Sequence, residues 1–502
     1  MRVGEYCGLG QVSPWDHASP ESRRAHQGAA LRDFVRTQVL PYSPFYRARL
    51  SAAGIAPDTI RGLDDLSKIP FTTKADLVAT SERPEAARDF ILAPTPELLR
   101  RHLPIGRKLR LLRARLFGSA DAAKQLVLDE YAPETLIVTT GRSAGSVPLF
   151  LTPHDRRRLR EAGRRICGHL DLVAGRDRTL SLFPYAPHLA FWQVAACGEG
   201  AGVLTLNTGG GRTIPVPRLL DLVGSFRPTC IAGMPGFTAH LLRRAAEEGR
   251  DWSSVRVLTL GGENVPQGLD AKLADYLAAV GAPHAKVLSV LGFTEARTCW
   301  TECVGGRHGF HTNPDMEILE VVDPETGTAL PEGHTGELVY TCLDGRGSVL
   351  LRYRTGDLVD GGLVESEPCP GCGSRVPRIR SSIARTSNVR ELHLTKVKGT
   401  LVNLNALSYL FASDPSVEEW QLEIRKRDDR AIDVDELVLR VARRGDETQA
   451  DFESRLQRAV FAIAELHVNR IEVLTLDALI RLLGTETLTK EDRLVDRRPD
   501  AR

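Results

Sequence analysis

Apolar positions along this chain follow two periods. Short runs rich in β-branched residues, TLIV at 135–138 and VPLFL at 147–151, predict two strands around a loop of small residues, Thr139 to Ser146. Upstream, residues 20–52 predict helix, with a stripe through Leu31, Phe34, Val35 and Val39 that ends at Pro41. A further helix is expected from about Asp155 to Leu170. The runs TLSLF, GVLTL, TCIAG, VRVLTL and KVLSV then alternate with helical patterns such as FTAHLLRRAAEEG. That alternation predicts an α/β domain, its parallel strands covered by helices. Past residue 315 the period becomes two, and MEILEVVDPETG, GELVYTCLDGRG and SVLLRYRTGD predict an antiparallel β unit. RIRSSIARTSNVR reads as an irregular basic linker. The strands WQLEIRKRD, ELVLRVARR and RIEVLTL, with a helix from about Glu447 to Leu466, predict a final α+β unit. A cut near 385 gives a large N-terminal domain, 1–384, and a small C-terminal domain, 385–502.

Composition narrows the class. With 502 residues, 26% charged and 42% apolar, the chain reads as an ordinary globular protein. Its net charge of +2 argues against nucleic acid or a membrane as partner. The basic stretch GRKLRLLRARLFG interleaves Leu109, Leu111, Leu112 and Leu116 with arginine, which predicts a solvated amphipathic helix rather than a nucleic-acid arm. The start lacks a signal-peptide apolar region and no apolar run is long enough to span a bilayer, so a cytoplasmic location is expected. Nine cysteines there should be reduced, so clustering reads as metal binding before disulfide.

Three places carry candidate chemistry. The loop Thr139-Thr140-Gly141-Arg142-Ser143-Ala144-Gly145-Ser146 can turn several N–H groups, hydroxyls and a guanidinium toward one anion; it also reads as a glycine-rich hairpin turn. It is no Walker A loop, since no lysine follows and the next segment reads as a strand. Two predicted strand ends carry Gly261-Gly262-Glu263 and Gly292-Phe293-Thr294-Glu295, where α/β sheets tend to bind ligands. Cys369-Pro370-Gly371-Cys372 is a C-x₂-C knuckle with Cys303 and His311 upstream; three thiolates and an imidazole suit tetrahedral Zn²⁺, with His308 as an alternative ligand. Two buried reduced cysteines are the alternative reading.

The order of motifs is more specific than any one of them. SPFYRARL, KIPFTTKADL, the Thr139 loop, PTCIAGMPGF, LGGE, GFTEA, GFHTNPDMEILEVVDPETG, LLRYRTGDL, EPCPGCG, KVKGT and LTKEDRLVDRRP together resemble the adenylate-forming superfamily, most closely its phenylacetate–CoA ligase-like branch. The resemblance implies a two-step reaction. A carboxylate attacks the α-phosphorus of Mg-ATP to give an acyl-adenylate, and a thiol, often CoA, displaces AMP. It assigns Thr139, Thr140, Gly141, Arg142 and Ser143 to the phosphates, with Arg142 and Ser143 standing where the family has threonines and the family's lysine missing. Glu295 is expected to reach Mg²⁺, with Thr294 beside the α-phosphate. Gly262 and Glu263 would line the adenine pocket, although Leu291 replaces the usual tyrosine before the G-x-T-E segment. Asp357 would grip the ribose, Arg385 would contact ribose or phosphate, and Lys490 would neutralise the departing charge. Tyr185, His188, Phe191 and Trp192 stand where the branch binds its acid; core packing explains Phe191 and Trp192 equally well. The resemblance also supports a structural zinc on Cys303, His311, Cys369 and Cys372.

Thr386-Ser387-Asn388 stand where the family often has an aspartate hinge, which keeps a carrier-protein thiol or an amine open as acceptor in place of CoA. The missing loop lysine and Leu291 support a further alternative, a non-catalytic nucleotide-binding or zinc-stabilised interaction protein. A homodimer stays open.

Overall fold

The computed structural model describes residues 12–139, 146–262, 265, 269–380, 383–385, 394–397, 400–426, 435–464, 467–488 and 491–498. The chain forms two compact units. One comprises 1–179, 186–206 and 288–383; the other comprises 180–185, 207–287 and 384–502.

In the first unit, Ser/Thr-Pro steps start the helices. Ser19, Ser43, Thr95 and Thr152 each cap a helix whose first residue is the following proline, in Pro20–Phe34, Pro44–Ala52, Pro96–His102 and Pro153–His169. The cap hydroxyl takes an orphan N–H, and proline has the helical φ preset. The helix Leu189–Ala201 crosses Pro153–His169 so closely that a Cβ at Gly200 would lie 2.1 Å from the carbonyl oxygen of Arg160. The glycine-loop strands Thr135–Val138 and Pro148–Leu151 pair antiparallel, from Thr135↔Leu151 to Val138↔Pro148. The strands Glu317–Val322, Gly336–Cys342 and Tyr353–Val359 form the expected antiparallel sheet. A second run of pairings joins Thr298–Cys303 to Gly306–His311 and then to Arg378–Ile379.

One reading of the chain needs correction here. The stretch 378–390 is not wholly irregular, since Arg378–Ile379 and Ile383–Arg385 are short strands. The basic stretch forms an exposed helix, Ile105–Phe117, with Leu109, Leu112 and Leu116 half or more exposed.

In the second unit, the strands Cys230–Gly233 and Val257–Gly261 pair parallel and are buried along their whole length, as their continuous apolar runs dictate. Its C-terminal part is a four-stranded sheet. Val417–Lys426 pairs antiparallel with Asp435–Arg443, and parallel partners Leu494–Asp496 and Arg470–Val473 flank them. Leu407, Phe411, Trp420, Leu439, Phe452 and Leu456 form the core under that sheet. None of the helices among the described residues is long and apolar enough to cross a membrane.

Candidate active site and metal centre

Thr139 closes the mouth of the small-residue loop. Its N–H donates to the carbonyl of Val147 at 3.0 Å, and the N–H of Val147 donates to its Oγ1 at 3.0 Å. Thr140, Gly141, Arg142 and Ser143 lie outside the described residues. The same hairpin meets the acid-site candidates. Val138 donates its N–H to Pro187 O, and its carbonyl lies 3.1 Å from Nδ1 of His188. Phe191 and Trp192 meet edge-on with centroids 5.4 Å apart, and the guanidinium of Arg156 lies over the indole at 5.7 Å.

Thr294 and Glu295 form one 3₁₀ turn, Thr294–Ala296, after the strand ending at Phe293. The hydroxyl of Tyr353 donates to Glu295 Oε1 at 3.0 Å, and its buried ring stacks on Phe293. Arg297 leaves the turn at φ 56° and forms a buried ion pair with Asp155 at 3.2 Å. Burial pushes the Asp155 carboxyl up, but Arg297 and N–H donors that include Thr152 and Gly347 hold it below the usual range.

Asp357 lies four residues beyond Tyr353 on the strand Tyr353–Val359, where a β-bulge shifts the register between Glu337 and Val339. Thr355 Oγ1 donates to Leu338 O at 2.8 Å and accepts from the N–H of Asp357 at 3.0 Å. Gly356 donates its N–H to Glu337 and holds φ at 74°, where a side chain would strain the backbone.

A closed circuit braces the entry to this strand. Thr72 Oγ1 donates to Leu351 O at 2.8 Å, so the 2.9 Å bond between Tyr46 and Thr72 has the phenol as donor, and that phenol accepts the N–H of Leu351 at 2.7 Å. Thr72 also exchanges backbone bonds with Arg352 and Arg354.

The second unit holds Gly262, at φ 85° directly after Val257–Gly261, with Met234 and the Phe183 ring beside it. Tyr185 belongs to this unit too; it is 55% exposed and its hydroxyl bonds to Asn207 O. Gly209, Gly210, Gly211, Met234 and Phe237 line a cavity of about 30 Å³, together with Leu488 and Glu491, the residues on either side of 489–490. Glu491 lies against Gly236 and accepts from Thr485 at 2.8 Å and Arg493 at 2.7 Å, while His240 pairs with Glu486 at 2.8 Å. Glu263 and Lys490 lie outside the described residues. Arg385 ends the strand Ile383–Arg385, and its side chain lies outside them too.

The four metal candidates converge in the first unit. The ligand atoms of Cys303, His311, Cys369 and Cys372 all lie within 4.8 Å of one another, and all four residues are buried. The sulfurs of Cys303 and Cys369 are 3.8 Å apart, and Cys372 Sγ is 3.2 Å from His311 Nε2. Zn–S bonds of about 2.3 Å in a tetrahedron set sulfurs roughly 3.8 Å apart. Nδ1 of His311 faces the carbonyl of Thr301 at 3.2 Å, which fixes a tautomer with Nε2 free to ligate. Hydrogen bonds from Cys303 and Cys372 drive the Cys369 thiol far down toward thiolate. This donor set fits zinc, with His311 rather than His308 as the nitrogen ligand.

Comparison with known proteins now places the chain. Residues 156–345 match the AMP-binding enzyme family. Phenylacetate-coenzyme A ligase of Thermus thermophilus is 27% identical over 412 residues, covering 81% of this chain and 79% of that protein. The enzyme of the same name from Escherichia coli is 26% identical over 351 residues, 69% of each chain. The chain is thus similar to AMP-binding enzymes over residues 156–345 and to phenylacetate-coenzyme A ligases over most of its length. The fold agrees. A crystal structure of 2-hydroxyisobutyryl-CoA ligase in its postadenylation state superposes with a TM-score of 0.72 at 19% identity, covering 96% of this chain and 91% of that one.

Motifs far apart in the sequence are partners in space. Tyr46 of SPFYRARL, Thr72 of KIPFTTKADL and Leu351 of LLRYRTGDL share one hydrogen-bond circuit. Sequence reasoning missed Tyr46, Thr72 and Tyr353, whose phenol and hydroxyl groups look like ordinary core residues until the chain is folded. Gly209-Gly210-Gly211, which line a cavity, were not singled out either.

Proposed function

We propose that this protein is an ATP-dependent, AMP-forming acid ligase that converts a carboxylic acid, aromatic in class, to its acyl-adenylate and passes the acyl group to the thiol of CoA. One observation carries the reading: Tyr353, whose hydroxyl holds Glu295, and Asp357, beside a bulge, lie on one strand. A metal-type carboxylate and a sugar-gripping carboxylate tied to the same strand suit a nucleotide. The similar phenylacetate-coenzyme A ligases support both the acid class and CoA. Phe191 and Trp192 offer flat apolar surface for an aromatic ring.

In this reading Glu295 would hold Mg²⁺, whose charge would screen the phosphates. Thr139 and the loop after it bind the phosphates, Thr294 hydrogen-bonds the α-phosphate, and Gly262 and Glu263 border the adenine. Asp357 accepts both ribose hydroxyls, Arg385 contacts ribose or phosphate, and Lys490 neutralises charge at the reacting carboxylate. Lys490 belongs to a mobile C-terminal domain, 385–502, whose movement gates turnover. Tyr185 and His188 complete the acid site. Zinc on Cys303, His311, Cys369 and Cys372 would be structural, cross-linking the turn at 303–306 to the 366–374 loop.

Carboxylate-dependent exchange of pyrophosphate into ATP, run over a panel of aromatic and aliphatic acids, tests the first step. An aryl-acid-dependent signal is expected; no exchange with any acid, despite ATP binding, would favour the non-catalytic alternative. Thioester formation with CoA, compared with a carrier thiol and an amine, then settles the acceptor that the Thr386-Ser387-Asn388 sequence leaves open.

A further inference from the structure

The helix Ile105–Phe117 turns its apolar face outward. Ile105, Leu109, Leu112 and Leu116 recur at i, i+4, i+7 and i+11, which sets them in one stripe along the helix. They are 76, 58, 50 and 68% exposed, and Phe117 at the end is 84% exposed. The half-buried residues, Arg107, Leu111 and Ala114, lie on the opposite side, and Arg107 pairs with Glu130 of the neighbouring helix Ala120–Tyr131. An amphipathic helix ordinarily turns such a stripe to the core. Here the stripe adds nothing to the folded chain.

Charge frames the stripe. The helix carries Arg107, Lys108, Arg110, Arg113 and Arg115 and no acid, and Arg100 and Arg101 extend the run upstream. At 100° per residue, Lys108 and Arg115 border the stripe on one side and Arg113 borders it on the other. Leucines and a phenylalanine between cationic rims are the make-up of an interfacial helix, whose apolar face enters the acyl boundary while basic groups meet headgroup phosphates. A second copy would bring the same cations against the same rims, which is repulsive. A convex stripe also matches a flat apolar layer beneath an anionic plane better than it matches a protein surface without a groove to receive it.

We propose that the helix Ile105–Phe117 docks this protein on an anionic lipid surface. The full-length protein is mixed with phosphatidylcholine vesicles, or with vesicles that also contain phosphatidylglycerol, and floated through a density gradient. It should float with the anionic vesicles at low salt, and stay behind with phosphatidylcholine alone or at high salt. Leu112→Glu/Leu116→Glu and Lys108→Gln/Arg113→Gln/Arg115→Gln should each cut the bound fraction by at least about tenfold. Both sets alter exposed side chains, so melting temperatures should stay at the parent value. If the glutamate pair unfolds, the charge variant still decides. Absence of flotation with anionic vesicles would overturn the proposal, as would unchanged binding by the folded variants. A dimer in solution that Leu112→Glu/Leu116→Glu dissociates would assign the stripe to a second copy and overturn it equally.

Discussion

Tyr46 shows how much one hydroxyl can carry. It donates to Thr72 and accepts from Leu351, in a site with no exposure, and burial drives its own ionisation far above the ordinary tyrosine range. Tyr46→Phe keeps the ring but strands the N–H of Leu351 and a lone pair of Thr72, at a cost of about 1–3 kcal/mol. Chemical denaturation should register that loss. Because Leu351 leads into the strand that bears Tyr353 and Asp357, ATP affinity should weaken as well. Glu317 is a second case. Burial pushes its carboxyl up to about 7, against N–H donors from Asn313 and Trp300. A group raised on folding stabilises fully below its unfolded value, about 4.5, and loses that contribution as pH climbs through about 7. Between those limits the parent should lose up to about 3 kcal/mol relative to Glu317→Gln, read as diverging melting temperatures. Parallel pH profiles for the two proteins would contradict the assignment.

Among the elements, the knuckle at 369–372 depends most on its partners. Ser374 Oγ bonds the buried Asp16 at 2.6 Å, Arg375 donates its N–H to Asp16 O, and Val12 packs against Cys303, Cys369 and Cys372. The 12–16 segment therefore covers the thiol cluster. Cys372→Ser should lower bound zinc, measured by elemental analysis, and drop the melting temperature by more than about 5 °C. Brief protease treatment should then cut near residue 12 faster. Zinc-free parent protein with unchanged stability would argue for reduced cysteines instead. The bulge at Gly356 is the other such element: Gly356 holds φ at 74° there and the register with Gly336–Cys342 slips beside Asp357.

At the scale of the whole molecule, the two half-reactions should separate. Lys490→Ala should abolish acid-dependent pyrophosphate exchange, while conversion of a supplied acyl-adenylate and CoA to thioester persists, because the lysine's charge is needed only as pyrophosphate departs. Asp357→Ala should instead weaken ATP binding in both the parent and the Lys490→Ala background. Equal loss of both half-reactions in Lys490→Ala would remove its assigned role. Total charge, by contrast, misleads at this scale. A value of +2 summed over 502 residues conceals five cations on one exposed helix.

From the sequence alone came the alternation of strand and helix, the antiparallel unit past 315, the α+β ending and the ordered motifs that carry the resemblance to the superfamily. These signals are local or ordered along the chain, so no folding is needed to read them. The four metal candidates were legible for a similar reason, since cysteine and histidine are few and conspicuous. Only the tertiary structure decided which hydroxyls join Tyr46, Thr72 and Leu351, that a bulge sits beside Asp357, and which side of Ile105–Phe117 faces water. A leucine stripe has the same period whether its face is buried or bare. Which of the two it is depends on what the rest of the chain brings against it.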